Sequence, residues 1–161
     1  MARETKNVPA PKLWLVLARA YGSMVNYIEG SIVAQGLGLS DFMVLEVLLH
    51  KGPLTISAIG EKVLLASASM TSAIDRLEKR GLVQRRSCDS DRRIRLVELT
   101  DCGRGFIEEI YARHEKDLDV VVAGLCEEER KTLYEALKKM GHAAKAAIPT
   151  QKDETKQDTL A

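Results

Sequence analysis

The hydrophobic pattern of this chain changes its period at Gly81, and that change limits the folds the chain can adopt. Before Gly81, apolar residues recur at helical spacing, at Met70, Ala73, Ile74 and Leu77. After it, residues 82–86 and 94–99 are rich in strand-forming side chains. The polar segment between them contains the turn residues Asp89, Ser90 and Asp91. The pattern therefore predicts a helix followed directly by a β-hairpin.

A shorter helix is predicted just before this one. Thr55 is a typical N-cap for a helix over residues 56–63. A turn at residues 64–66 then leads to the second helix, over residues 67–80. Two short helices joined by a turn, the second polar on its outer face, form a helix-turn-helix. The hairpin that follows corresponds to a wing.

Longer helices are predicted on both sides of this module. The first covers residues 12–35, and the second covers residues 41–50 with Ser40 as its N-cap. After the hairpin, Thr100 caps a helix over residues 101–124. A last helix opens with Cys126 and three acidic residues, which suit the positive end of a helix dipole, and it ends at Pro149.

These elements predict a mainly α protein with a small β-hairpin wing, in the α+β class. We expect three regions along the chain. Residues 1–35 supply the first helix of a dimerisation lobe, and residues 36–100 form a winged helix-turn-helix domain. Residues 101–161 supply the C-terminal helices of the lobe and a flexible tail.

The flanking helices carry apolar stripes that are wide for a thin lobe of three helices. One stripe consists of Ile107, Ile110, His114, Leu118, Val121 and Leu125, and the next of Leu133, Leu137, Met140 and Ala144. Pairing with a second copy would bury them, and two-fold dimers are the commonest closed oligomers. Such a dimer also lets two recognition helices reach successive major grooves, about 34–36 Å apart. We therefore expect a homodimer.

Charge is unevenly distributed, although the net charge is only +1. Residues 51–100 contain 10 basic and 6 acidic side chains, whereas residues 101–161 contain 10 and 13. A local excess of positive charge indicates a site for a polyanion, and a solvated charged surface is the alternative. The chain has no apolar run of about 20 residues and no CxxC pair, so we expect a cytoplasmic protein without a membrane partner.

The predicted recognition helix offers hydroxyl and basic side chains on its outer face, where they could bond bases or phosphates. They are Ser67, Ser69, Thr71, Ser72, Arg76 and Lys79. Ser67 could instead serve as an N-cap, and Arg76 could instead pair with Asp75 or Asp91. At the start of the preceding helix, Thr55 and Ser57 are placed to hold a phosphate.

The wing adds a second set of candidates. Arg92 and Arg93 lie at the hairpin turn, from which guanidinium groups could enter a narrow minor groove. Asp91 could orient one of them through a bidentate pair, and a structural salt bridge is the alternative role of Arg93. Arg85 and Arg86 follow each other on the first strand, so at least one of them should face the DNA backbone.

The wing also carries a family resemblance. Residues 91–100 match the pattern DxRxxxVxLT, with Asp91, Arg93, Val97, Leu99 and Thr100 at the specified positions. Residues 77–83 and Gly103 match the end of the recognition helix and an LTxxG motif. In these residues the chain resembles the MarR (multiple antibiotic resistance regulator) family. The helix order extends the resemblance over residues 12–147, and its specific motifs lie within residues 55–103.

The resemblance implies a homodimeric winged-helix repressor or activator that binds a pseudo-palindromic operator in double-stranded DNA. Many family members are released from DNA by a small aromatic or anionic ligand, and some by thiol oxidation. The family's ligand site lies between the dimerisation and DNA-binding lobes. The candidates for such a site here are Trp14, Tyr21, Met24, Tyr27, Met43 and His50. Ordinary core packing is the alternative role for these residues.

The cysteines give weaker signals. Cys102 and Cys126 lie near predicted helix N-termini, which lower thiol pKa values, so either could be reactive. Neither lies in the first helix, where the peroxide-sensing branch of the resembled family keeps its thiol. Cys88 is a third candidate for redox activity. The histidines and cysteines show no metal-ligand spacing, so neither a metal nor a cofactor is predicted.

The sequence has no glycine-rich phosphate loop, no HExxH and no serine elbow, so an enzyme is not predicted. We predict a sequence-specific DNA-binding transcription regulator, a homodimeric repressor relieved by a small ligand. One alternative is a thiol-based redox-sensing regulator. Another is a winged-helix protein-interaction module that does not bind DNA, and the cluster of wing arginines argues against it.

Overall fold

The computed structural model describes residues 8–63, 67–88, 91 and 93–148, apart from the side chains of residues 67–69. The described residues form six α-helices and one two-stranded sheet. In chain order these are α1 (Ala10–Ala34), α2 (Leu39–Lys51), α3 (Ile56–Lys62), α4 (Ser67–Lys79), β1 (Val83–Ser87), β2 (Arg95–Leu99), α5 (Asp101–Val122) and α6 (Glu127–Ala146). The prediction of a mainly α chain with a β-hairpin is confirmed. The predicted turn at residues 64–66 and the predicted tail lie outside the described residues.

The start of α2 differs from the prediction. Gly38, not Ser40, is the N-cap, and the Gly38 carbonyl accepts a hydrogen bond from the Phe42 N–H at 3.0 Å. Ser40 already lies in the first turn, and its hydroxyl oxygen accepts from the guanidinium of Arg76 instead. The helix therefore begins two residues earlier than predicted, at Leu39, and it includes Ser40, whose side chain is used in a tertiary contact.

Two predicted caps are confirmed. The Thr55 hydroxyl accepts from the Ala58 N–H at 3.2 Å and so begins α3. The Thr100 hydroxyl accepts from the Gly103 N–H at 2.9 Å and donates to the Gly81 carbonyl at 2.7 Å. Thr100 therefore begins α5 and also ties that helix to the end of α4. Gly81 itself has a positive φ of 70°, which a glycine adopts at little cost.

The hairpin is antiparallel, with Val83 opposite Leu99 and Ser87 opposite Arg95. One contact was not predicted. Leu54, just before α3, pairs with Val97 on the other side of β2, through hydrogen bonds of 3.0 and 2.8 Å. The base of the wing is therefore joined to the start of the helix-turn-helix.

A single buried cluster supports these elements. It includes Phe42, Leu45 and Leu48 from α2, together with one or more residues from each of α3, α4, β2 and α5: Ile59, Ile74, Leu77, Val97 and Ile107. Burying apolar side chains of this kind contributes about 1.5–3 kcal/mol each. The inner faces of α4 and the wing pack on this cluster, and their outer faces are exposed to solvent.

The chain divides into two compact units, residues 1–121 and residues 122–161. In the described part of the chain, no single helix is long and apolar enough to cross a membrane. Taken together, α1 and α2, which meet at 87°, are long and apolar enough for one interrupted membrane span by length and composition alone.

Candidate nucleic-acid interface

Arg76 fastens the recognition helix α4 to α2. Its Nη2 donates to Asp41 Oδ1 at 2.5 Å and to Ser40 Oγ at 3.2 Å, and its Nε donates to Asp41 Oδ2 at 3.3 Å. The hydrogen bond to Asp41 raises the pKa of Arg76, against a smaller opposing effect of burial. Neither alternative partner predicted for Arg76 is the one observed, because Arg76 pairs with Asp41 while Asp75 pairs with Arg85. Whether Arg76 also contacts DNA stays a prediction.

Arg85 fastens the wing to the same helix. Its Nη2 donates to Asp75 Oδ1 at 2.5 Å, and its Nη1 donates to Glu78. The hydrogen bond to Asp75 is the largest cause of a raised Arg85 pKa. Asp75 and Glu78 lie three residues apart on one face of α4, so a single arginine from β1 can reach both.

Arg86 is paired within the hairpin. Its Nε donates to Glu98 Oε2 at 2.7 Å, and Gln84 donates to Glu98 Oε1 at 2.9 Å. The bond from Arg86, followed by the bond from Gln84, holds the pKa of Glu98 below its ordinary value of 4.5. Arg85 and Arg86 thus both have partners inside the chain, a role that the sequence did not indicate. Their contact with DNA is still a prediction.

The described turn residues of the wing have a different environment. The Asp91 carboxylate accepts from the Arg93 backbone N–H at 2.9 Å, and the Asp91 carbonyl accepts from the Ile94 N–H at 3.0 Å. Asp91 therefore shapes the turn through the backbone. Among the described residues, the exposed Arg93 side chain has no ion-pair partner. Arg92, the other predicted arginine, lies outside the described residues.

The outer face of α4 is open to solvent. Thr71, Ser72 and Lys79 are exposed, whereas the side chains of Ser67 and Ser69 lie outside the described residues. Ahead of α4, the Thr55 hydroxyl already caps α3 and lies 3.0 Å from the Ser57 hydroxyl. Thr55 therefore has a structural role in addition to the phosphate contact predicted for it.

A close backbone contact fixes the end of this surface. A Cβ atom on Gly103 would lie 1.8 Å from the Leu82 carbonyl oxygen, so only glycine fits there. The Thr100 N–H also donates to this carbonyl, at 3.1 Å. Arg80 adds a contact that the sequence did not reveal, since it donates to the Gly36 carbonyl at 3.2 Å and lies 5.4 Å from the centre of the Phe106 ring. Together these contacts join the ends of α1 and α4 to α5.

The six predicted ligand residues are spread over two helices. Trp14, Tyr21 and Tyr27 are exposed on α1, and Trp14 keeps 68% of its surface. Met24 on the same helix is half-buried, and Met43 on α2 packs against the core. The predicted ligand role of these residues stays a prediction.

His50, the sixth candidate, belongs to a row of rings. It contacts Tyr111 edge-on with the ring centres 4.7 Å apart, and Tyr111 is followed by His114 at 6.1 Å. His114 lies 4.8 Å from Phe42. Burial, followed by the negative charges of Glu115 and Glu46, raises the pKa of Tyr111. The sequence did not single out Tyr111, because one tyrosine on an amphipathic helix resembles ordinary surface.

The cysteines of the described chain form no disulfide. Cys102 and Cys126 are exposed, and Cys88 is half-buried at the end of β1. Cys126 forms a capping box with Glu129, whose carboxylate accepts from the Cys126 N–H at 2.9 Å. In the ranges that the structure describes, no group of three or more histidine, cysteine or acidic residues could hold a metal ion.

Comparison with known proteins agrees with this arrangement. A model of the MarR family matches residues 37–94. The HTH-type transcriptional regulator MhqR of Bacillus subtilis is 39% identical over 134 residues, which cover 83% of this chain and 92% of the relative. A solved structure concerning the regulation of DNA binding of Bordetella bronchiseptica BpsR by 6-hydroxynicotinic acid is 28% identical. It covers 81% of this chain and 98% of that one, with a TM-score of 0.72.

A structure of an Escherichia coli MarR mutant complexed with operator DNA has a TM-score of 0.71 and covers 80% of this chain and 92% of that one. At 21% identity, it establishes a common fold. These similarities extend well beyond the wing motif, since they include the flanking helices.

Proposed function

The chain belongs to the MarR family of helix-turn-helix transcription regulators, and we propose that it acts as a homodimeric repressor on a pseudo-palindromic operator. The observation that carries this proposal is the exposure of the Arg93 side chain at the wing turn. Arg76, Arg85 and Arg86 are held by carboxylates of the same chain, whereas Arg93 at the wing turn has no described ion pair. An exposed guanidinium at the tip of a wing suits a narrow minor groove.

Exposed apolar residues on the terminal helices support the homodimer. Trp14, Leu15 and Val16 on α1 and Leu133 and Tyr134 on α6 all retain 46% or more of their surface. Exposed apolar side chains on each of these helices suit an interface. A second copy is the partner that two-fold operator symmetry calls for.

Relief of repression by a small molecule is the further part of the proposal. The DNA binding of BpsR is regulated by 6-hydroxynicotinic acid, an aromatic acid. By analogy, a small aromatic or anionic ligand would weaken DNA binding by this chain. A regulator of this kind would act in the cytoplasm, where the DNA is, and no catalytic step is assigned to it.

The proposal is tested with a duplex that the wild-type chain selects from a random-sequence pool. Fluorescence anisotropy against salt concentration should show an affinity that falls steeply with salt, because phosphate contacts release counterions. Arg93→Ala should lower the affinity by about tenfold or more, given ~1–3 kcal/mol for a good groove contact. The control is Arg113→Ala, an exposed arginine on α5 paired with Glu109. Equal affinity of Arg93→Ala and wild type would contradict the proposal.

A further inference from the structure

The fork of Arg76 is only partly used within the chain. A guanidinium has five N–H donors in one plane. Three of them point to α2, namely Nε and one Nη2 hydrogen toward Asp41 and the other Nη2 hydrogen toward Ser40. The two donors on Nη1 have no acceptor among the described residues, and the side chain keeps 51% of its surface. One edge of the fork is therefore held while the other faces solvent.

The partner that holds this fork is unusual. Asp41 is only 5% exposed, and it lies in the first turn of α2 beside the buried residues Phe42 and Val44. Burying a carboxylate is costly unless a cation and hydrogen bonds compensate for it. A buried ion pair generally adds little stability over an apolar pair of similar volume. Stability alone therefore does not account for a charge at this position.

Arg76 shares one face of α4 with two further exposed polar side chains. Arg76 follows Ser72 by four residues and precedes Lys79 by three, so the three side chains share one face of α4. Ser72, Arg76 and Lys79 are all exposed. This face belongs to the recognition helix, which the proposed function places in the major groove.

We propose, on the premise that the chain binds duplex DNA as argued above, that Arg76 donates from Nη1 to a DNA phosphate and that Asp41 is the positioning residue that holds it there. The carboxylate fixes the plane of the guanidinium before DNA arrives, so less side-chain freedom is lost on binding. It also offsets the charge of Arg76, which limits attraction to DNA of any sequence. Asp41 thus favours the correct duplex over others.

This role predicts opposite effects on two kinds of DNA. The probes are a duplex selected by the wild-type chain from a random-sequence pool and a shuffled duplex of the same composition. Asp41→Asn keeps the shape of the side chain and removes its charge. It should lower the affinity for the selected duplex about tenfold, whereas the affinity for the shuffled duplex should stay the same or rise. A loss of helix packing alone would lower both affinities together.

Two further variants connect the effect to Arg76. Arg76→Gln should lower the affinity for the selected duplex and reduce the slope of log affinity against log salt by about 0.9, the value for one phosphate contact. In the Arg76→Gln background, Asp41→Asn should change neither affinity. The matched control is Asp119→Asn on α5, an exposed carboxylate with the same change of charge. It should leave both affinities unchanged.

If Asp41→Asn does not fold, Arg76→Lys provides the same test from the surface. Lysine keeps the charge but has no fork, so it cannot hold Asp41 and a phosphate in a fixed plane. The Arg76→Lys variant should bind the selected duplex about tenfold more weakly and should keep its affinity for the shuffled duplex. Equal changes on both duplexes, or none, would overturn the role of Asp41. A wild-type chain that enriches no sequence would contradict the proposed function itself and this inference with it.

Discussion

Helices α2 and α6 both carry apolar residues at helical spacing, yet their surroundings differ. α2 has 13 residues, and Asp41, Phe42, Val44, Leu45 and Leu48 are buried by other parts of the chain. α6 has 20 residues, all of them described, and none is buried. Leu133 and Leu137 of α6 keep 46% and 39% of their surface. The winged region therefore closes its own core, whereas α6 carries apolar side chains that are not buried.

This difference separates two sources of stability. A buried leucine or phenylalanine of α2 stabilises the fold within one chain, whatever the protein concentration. The same kind of side chain on α6 contributes only when a partner covers it, so its contribution depends on concentration. Substitutions in the two regions should therefore be measured differently, by unfolding in the first and by association in the second.

The largest effect is expected where the closed region is tightest. Gly103→Ala would place a Cβ atom 1.8 Å from the Leu82 carbonyl oxygen, a backbone atom that cannot move away cheaply. We expect a loss of about 3 kcal/mol or more in the free energy of unfolding, at the upper end of overpacking effects. Urea denaturation followed by circular dichroism measures it.

The control for this substitution is Gly105→Ala, two residues further along α5. A Cβ atom there would meet nothing within 4 Å. Alanine should stabilise the helix by up to about 1 kcal/mol, because it is the better helix former. Similar unfolding midpoints for the two variants would show that α5 and the segment between α4 and β1 are not in close contact.

The open region should respond through association. Leu137→Glu places a charge on the apolar face of α6 and should prevent dimerisation. One leucine contributes about 1.5–3 kcal/mol, and a two-fold interface contains it twice, so the dimer Kd should rise by roughly two to four orders of magnitude. Sedimentation at micromolar concentration should show a dimer for the wild type and a monomer for the variant.

His142→Glu is the matched control, because it also adds one negative charge. His142 follows Leu137 by five residues and therefore faces away from it. The wild-type dimer should persist in this variant. A monomeric wild type would contradict the prediction that a second copy covers the apolar side chains of α6.

The smallest effect is expected at the surface of the closed region. The pKa of Glu98 lies below its ordinary value of 4.5. The stability that the ionised carboxylate adds is therefore complete above pH 4.5 and is lost as the pH falls through the lowered pKa. Glu98→Gln should cost about 1 kcal/mol or less at about pH 7, because the pair with Arg86 is partly exposed. The difference from wild type should disappear at about pH 2.

Thermal unfolding of both proteins across this pH range measures the effect. Glu108→Gln provides the comparison, since Glu108 lies 3.9 Å from Arg104 and both side chains are more than half exposed. Its effect at about pH 7 should be smaller than that of Glu98→Gln. A constant difference between wild type and Glu98→Gln from about pH 7 to about pH 2 would exclude the ionised carboxylate as the cause.

The sequence predicted the parts of the fold that depend on local spacing. The change of period at Gly81 predicted the hairpin, and the Thr55 and Thr100 hydroxyls cap their helices as expected. Ser40 was wrong as a cap, because its hydroxyl bonds Arg76, which lies 36 residues away. Contacts over such separations leave no periodic signal in one sequence.

The same limit applies to the candidate interface. The sequence identified Arg76, Arg85 and Arg86 as basic residues, and it suggested carboxylate partners for Arg76 alone, which were not the Asp41 observed. A charged residue inside the apolar face of α2 was the one available signal for Asp41. It indicates a buried partner without naming it, because any of several arginines could fill that role.

The pairing of Leu54 with Val97 has a consequence for local opening of the wing. Detaching the base of β2 requires breaking the two hydrogen bonds that join it to the segment ahead of α3. The backbone amides of Leu54 and Val97 should therefore exchange with deuterium only when the whole winged region unfolds, whereas the Arg93 amide at the turn should exchange through small local fluctuations. The base of the wing would thus keep its position beside the helix-turn-helix even while the backbone at Arg93 opens to solvent.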